Sequence, residues 1–174
     1  HQYNPIEYIK SRIKAPESIV KKLKRYGYDS SIDNMVNYIN DIAGIRIVCS
    51  FTSDIYRIAE MIRLQNDIHV IAVKDYIRLP KASGYKSYHM LVTVPVFLSD
   101  RTVDVKVEIQ IRTVAMDFWA SLEHKINYKF EGNAPEHVKR ELIECAGMVS
   151  ALDNRMQELN EEIKALSKED TDGA

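Results

Sequence analysis

Residues 103–112 read VDVKVEIQIR, apolar and polar residues in unbroken alternation. Side chains on a strand alternate between its two faces. Val103, Val105, Val107, Ile109 and Ile111 therefore point into a core, while Asp104, Lys106, Glu108, Gln110 and Arg112 point the other way. A polar face of this kind is either a solvated sheet surface or a site. The strand runs directly into TVAMDFWASLEH, which has helical patterning, so one face of a sheet is tied to the start of a helix. Glu108, Gln110 and Arg112 can meet one ligand there.

The flanking patterns set the fold class. Pro16 and Glu17 predict a helix to about residue 27. A second helix is expected over 31–40, capped near Ser31 or Asp33. Residues 43–51 read as a strand with Ile45, Ile47, Cys49 and Phe51 on one face. Ser53 or Asp54 would cap a helix to about 65, buried through Ile55, Ile58, Ala59 and Ile62. Strands are expected over 68–77 and 88–96, with Pro95 marking an end or an edge. The helix carrying Trp119, Leu122 and Ile126 breaks at 132–135. A long helix follows from about 136 to 166, with a frayed acidic tail. This order lacks regular βαβ alternation, so we expect an α/β (α+β) fold: a mixed β-sheet flanked by helices. Residues 1–135 would form the core, and 136–174 a C-terminal helix and tail of the same domain. No repeat or linker is visible.

Along that last helix, Val138, Leu142, Cys145, Val149, Leu152, Met156, Leu159, Ile163 and Leu166 alternate spacings of four and three. This is a seam of coiled-coil type. A helix of about 30 residues spans about 45 Å, more than one face of a small domain covers. We expect its far end to need a second subunit, giving a homo-oligomer.

The 174 residues suffice for one core. A net charge of −1 argues against DNA as a partner, and no run is long and apolar enough to span a membrane. The first residue is His1, so a native N-terminal segment is expected upstream. Cys49 and Cys145 are expected to be buried free thiols, which suits the cytoplasm. Residues 10–25 hold Lys10, Arg12, Lys14, Lys21, Lys22, Lys24 and Arg25 against Glu17 alone. Such a patch on a neutral protein suits a small polyphosphate.

Three constellations besides the strand carry candidate chemistry. Lys14, Ser18, Lys22 and Arg25 make one helical stripe, either a solvated cationic face or a phosphate cradle at a helix N-terminus. Asp41 precedes a strand, as a capping residue or as a ligand for Mg²⁺, which takes one or two carboxylates plus substrate phosphates. The loop Lys81-Ala82-Ser83-Gly84-Tyr85-Lys86-Ser87-Tyr88-His89 puts aromatic rings beside a glycine. Those rings could meet a base or simply fill a sheet.

Taken together, four motifs resemble those of alarmone synthetases, the synthetase-domain family that moves pyrophosphate from ATP to the 3′-hydroxyl of a guanine nucleotide. They are the R-x-K-x-x-x-S-x-x-x-K of Arg12, Lys14, Ser18 and Lys22, then DIAGIR, GYKSYH and VEIQIRT, in family order from about residue 5 to 129. The resemblance implies a nucleotidyltransferase-like fold and a small, single-domain member, without hydrolase or regulatory domains. Lys14, Lys22 and Arg25 would contact ATP phosphates, with Ser18 donating to them, and Arg12 and Arg46 would stack on adenine. Asp41 and Glu108 would be the metal-binding and catalytic carboxylates. Tyr85 would stack on guanine, Lys81 and His89 would reach the acceptor's phosphates, and Gln110 and Asp117 would lie near that nucleotide. Glu123 and His124 are read as structural, and Lys86 is given no role. The implied reaction makes ppGpp or pppGpp from GDP or GTP with Mg²⁺, in a homotetramer. A non-catalytic nucleotide-binding regulator on the same fold is the alternative. Control by RNA or product leaves no mark in the sequence.

Overall fold

The computed structural model describes residues 3–172. Its frame is a five-stranded sheet built from β1 (Ile6–Ile13), β2 (Ala43–Cys49), β3 (His69–Asp75), β4 (Tyr88–Phe97) and β5 (Thr102–Thr113). The spatial order is β1-β2-β5-β4-β3. Only β2 and β5 run parallel, so the sheet is mixed, as expected. Around it lie α1 (Pro16–Arg25), α2 (Ile32–Tyr38), α3 (Thr52–Arg63), α4 (Val114–Lys129) and α5 (Glu136–Asp172).

The alternation in β5 divides the molecule. Val107, Ile109 and Ile111 join Ile47 and Cys49 of β2 and Met90 and Val92 of β4 in one core, closed by Ile55, Ile58 and Ala59 of α3. Burial of that many aliphatic side chains, each worth about 1.5–3 kcal/mol, fixes the register of the central strands. A slip of one residue would send the valines and isoleucines to the polar face. Pro95 lies in β4 beyond the last residue paired with β3, where its missing N–H costs no ladder bond.

Several expectations need correction. β1 was not foreseen: its apolar residues fall at 6, 8, 9 and 13 without a two-residue period, and the strand is mostly exposed. It exists through its pairing with β2. Neither Ser53 nor Asp54 caps α3. Asp54 is buried and accepts from the Tyr3 hydroxyl at 2.6 Å, while Gln157 of α5 accepts from the Ser53 amide. Leu122 is exposed, whereas Met116, Asp117, Trp119 and Ala120 of α4 are buried. Cys49 is buried but Cys145 is exposed. The helix α5 continues through Asp172, beyond the end expected near 166.

The helix α5 meets the domain by a face that its apolar pattern marks only in part: Leu142 and Val149 pack beside Trp119 and Ala146. Among its described residues Ala146, Asp153 and Asn160 are buried. Asp153 accepts from Thr113 Oγ1 at 2.6 Å, and Thr113 in turn caps α4 by accepting from the Met116 amide. Trp119 Nε1 donates to the Leu142 carbonyl at 2.9 Å. Gly84 has φ of +90°, and a Cβ there would stand 2.5 Å from Ala146 Cβ. Glycine is thus needed at 84 both for its backbone and for the close approach of the 81–85 loop to α5.

Candidate active site

The polar face of the sheet is a floor. Pairing across strands aligns Arg12, Gly44, Glu108 and Leu91 in one row, and Lys10, Arg46, Gln110, His89 and Lys74 in the next. The Arg12 side chain passes over Gly44, its Cγ at ordinary contact distance, 3.5 Å, from where a Cβ would stand. The cleft above this floor, about 620 Å³, takes in Arg12, Asp41, Arg46, Lys81, Tyr85, His89, Glu108, Gln110 and Arg112. It is closed on the far side by Ser121, Glu123, His124 and Lys125 of α4. Glu123 and His124 therefore face the cleft, contrary to the purely structural reading of the sequence. A neighbouring cavity of about 590 Å³ shares Asp41, His89, Lys81 and Glu108 and adds Lys22, Lys74 and Tyr76.

Asp41 stands between α2 and β2 and meets two cations. Lys14 Nζ donates to Oδ2 at 2.9 Å and Lys22 Nζ to Oδ1 at 2.8 Å. Burial alone would raise this carboxyl, but the hydrogen bonds from Lys22 and Lys14 outweigh it and hold it below its ordinary value. Lys14, Ser18, Lys21, Lys22 and Arg25 line a separate basic hollow on α1, so the predicted stripe is assembled as one surface. Ile19 and Leu23, on the opposite face of α1, pack against Ile39 and fix its orientation.

Glu108 has a different partner. His89 Nδ1 lies 3.4 Å from its Oε1, and His89 Nε2 is 2.9 Å from the Tyr85 hydroxyl. The contact with His89, working against burial, holds the Glu108 carboxyl below its ordinary value. The ring thus bridges the two residues, Nδ1 toward Glu108 and Nε2 toward the Tyr85 hydroxyl. Tyr85 is further held edge-on by Tyr76 and lies under cations of Lys81 and Arg112, at 4.9 and 5.1 Å from its ring centroid.

Arg112, which sequence placed on this face without a role, is buried. It donates to Gln110 Oε1 at 2.8 Å, to Asp117 Oδ1 at 3.1 Å, to Ser87 Oγ and to the Tyr85 hydroxyl. Asp117 is buried as well and does not line the cleft: it also meets Arg46 at 3.3 Å and accepts from the Tyr8 hydroxyl at 2.6 Å. Burial and this contact push the Tyr8 phenol up to about 12. Lys74, Tyr76 and Tyr8 had no sequence signal beyond Lys74 interrupting an apolar run; their place depends on strand register.

Among the described residues no cluster of three or more acidic, histidine or cysteine side chains could cage a metal by itself. Two ionised carboxylates in one cleft nevertheless fit Mg²⁺, which completes its shell with water and phosphate oxygens. Carboxylates and cations converging on an open mixed sheet define a site for phosphoryl-type transfer. Residues 11–133 match the region found in RelA / SpoT proteins. The chain is 48% identical over 163 residues to the GTP pyrophosphokinase YwaC of Bacillus subtilis, covering 94% of this chain and 78% of that one. The small alarmone synthetase 2 of B. subtilis superposes with a TM-score of 0.85 at 48% identity, covering 92% of this chain and 83% of the other. Small alarmone synthetase 1 from the same organism, bound to its product pppGpp, superposes with a TM-score of 0.84 at 42% identity, covering 91% and 80%. The chain belongs to the RelA/SpoT synthetase family.

Proposed function

We propose that this protein transfers the β,γ-pyrophosphate of ATP to the 3′-hydroxyl of GDP or GTP, yielding ppGpp or pppGpp and AMP. The observation that carries this reading is the shared cleft of Asp41 and Glu108, one carboxylate paired with lysines and the other with a histidine. The phosphate end of ATP would lie along Lys14, Ser18, Lys22 and Arg25, its adenine between Arg12 and Arg46. The guanine would stack on Tyr85. Lys81 and His89 would hold the acceptor's phosphates, with Gln110 on the floor beside them.

Glu108 would take the proton of the 3′-hydroxyl as that oxygen attacks the β-phosphorus. The α,β-bridging bond breaks and AMP leaves. Phosphoryl-type transfer draws most of its help from positioning and from cations that offset the charge on the transferring oxygens. Lys14 and Lys22 supply that charge once nucleotide phosphates draw them from Asp41. Asp41 and Glu108 would hold Mg²⁺, which when bound neutralises phosphate charge. The ground state keeps both carboxylates ionised, so neither role waits on a deprotonation near neutral pH.

The assembly is read as a homotetramer in the cytoplasm. Leu152, Met156, Leu159, Ile163 and Leu166 are exposed on α5, with Ile163 at 62%. A strip of this kind is expected to be covered by another copy. No helix of the described residues is long and apolar enough to cross a membrane. Incubation with labelled ATP, GDP and Mg²⁺, followed by separation of the nucleotides, tests the activity. The expected products are ppGpp and AMP; tight binding of both substrates without them would favour a regulator.

A further inference from the structure

Asp117 is an acid with an unexpected address. It sits in the first turn of α4, buried, and its oxygens are engaged from three strands. The β1 hydroxyl of Tyr8 donates to Oδ2 at 2.6 Å. Arg112 of β5 donates to Oδ1 at 3.1 Å, and Arg46 of β2 approaches the same oxygen at 3.3 Å. The two arginines both border the main cleft but reach different neighbours. Arg46 opens onto the hollow lined by Lys10, Arg12 and Gly44. Arg112 leads through the Tyr85 hydroxyl to His89, and from His89 to Glu108.

We infer that Asp117 is a positioning residue that couples the two nucleotide pockets, because it is the anion shared by Arg46 on the donor side and Arg112 on the acceptor side. The inference rests on the assignment of the two pockets proposed above. Arg46 is incompletely satisfied without substrate: its Nε is buried and has no hydrogen-bond partner. An adenine ring stacked on the guanidinium face leaves its N–H edge to Asp117 and holds Arg46 in place. A fixed Arg46 would fix the Asp117 carboxylate, and with it Arg112 and its hold on the Tyr85 hydroxyl and Gln110. A Tyr85 ring already fixed costs less to order when guanine arrives. The two nucleotides should therefore bind with positive synergy, and by linkage each should help the other equally.

A purely structural role makes a different forecast. Removing the charge would then loosen both pockets alike and leave their mutual effect unchanged. The test is calorimetric titration of a non-hydrolysable ATP analogue with and without saturating GDP, in Mg²⁺, on the full chain. In the unmodified protein GDP should tighten the analogue about 5-fold or more, the low end of ordinary coupling. In Asp117→Asn that factor should fall to below about 2-fold. Tyr8→Phe removes one hydrogen bond and keeps both charges, and should give a factor between the two. If Asp117→Asn does not fold, Tyr8→Phe alone decides. An unmodified protein with no synergy, or variants that keep the full factor, would overturn the inference. Product formation by the unmodified protein, assayed alongside, separates the two questions: synergy without product would sink the pyrophosphokinase reading and leave the coupling standing.

Discussion

The cleft and the outer face of α5 are opposites in how they meet their needs. In and just behind the cleft the carboxylates are answered within one chain: Asp41 by Lys14 and Lys22, Glu108 by His89, and the buried Asp117 behind it by Arg112, Arg46 and Tyr8. On α5 the apolar residues Leu152, Met156, Leu159, Ile163 and Leu166 are exposed, whereas Asp153 and Asn160 of the same stretch are buried. The helix has 37 residues and is about 55 Å long at 1.5 Å per residue. A single chain thus finishes its chemistry but not its surface. Function placed in the cleft should survive changes to the outer face of α5, whereas assembly should not.

The largest effect should come from Glu108→Gln. The change keeps shape and removes the proton acceptor, so kcat should fall by about 10²-fold or more. ATP affinity, measured by titration, should stay near its original value. A variant with near-normal turnover would make Glu108 a structural partner of His89. Next in size is Tyr85→Ala. Loss of base stacking is worth about 1–3 kcal/mol, so the acceptor KM should rise about tenfold while the ATP KM moves little. Equal shifts in both would point to the collapse of the Tyr85–His89–Arg112 cluster instead.

The outer face gives the complementary result. Replacing Leu152, Met156 and Leu159 together by glutamate should lower the mass seen in light scattering toward the monomer, with the folded core intact by circular dichroism. If the unmodified protein is already a monomer at micromolar concentration, the seam is not an interface. The smallest effect is expected at the inner face. Burial raises the Asp153 carboxyl, against the hydrogen bond from Thr113 and the charge of Lys86. A raised folded value means its contribution to stability is full below the ordinary aspartate range and fades as pH rises through that raised value. Asp153→Asn should therefore raise Tm at neutral pH by a few degrees, about 2–4 °C per kcal/mol, and the gain should vanish below pH of about 4. A gain that persists in acid would mean the carboxylate is not the cause.

What could be read in advance follows the range of the forces involved. The two faces of β5 were legible because alternation is local: Val107, Ile109 and Ile111 lie in the core and Glu108 and Gln110 on the floor. The stripe on α1 and the loop at Gly84 are local as well. β1 was not legible, since only pairing with β2 makes it a strand. Nor was the fate of Asp117, whose partner Tyr8 lies 109 residues away. For α5 the seam was visible but its orientation was not. Gly84 against Ala146 and Thr113 against Asp153 decide which face turns inward, and both are contacts between distant segments.

The central claim is that one chain's cleft completes a pyrophosphate transfer, and a single-turnover experiment tests it most directly. ATP labelled at the β-phosphate is mixed with excess enzyme, GDP and Mg²⁺, and the products are resolved. The label should appear in ppGpp, with AMP released in equal amount, and Glu108→Gln should abolish both together. Label retained in ADP while unlabelled GTP forms, with no 3′-pyrophosphorylated product, would contradict the assignment of this cleft.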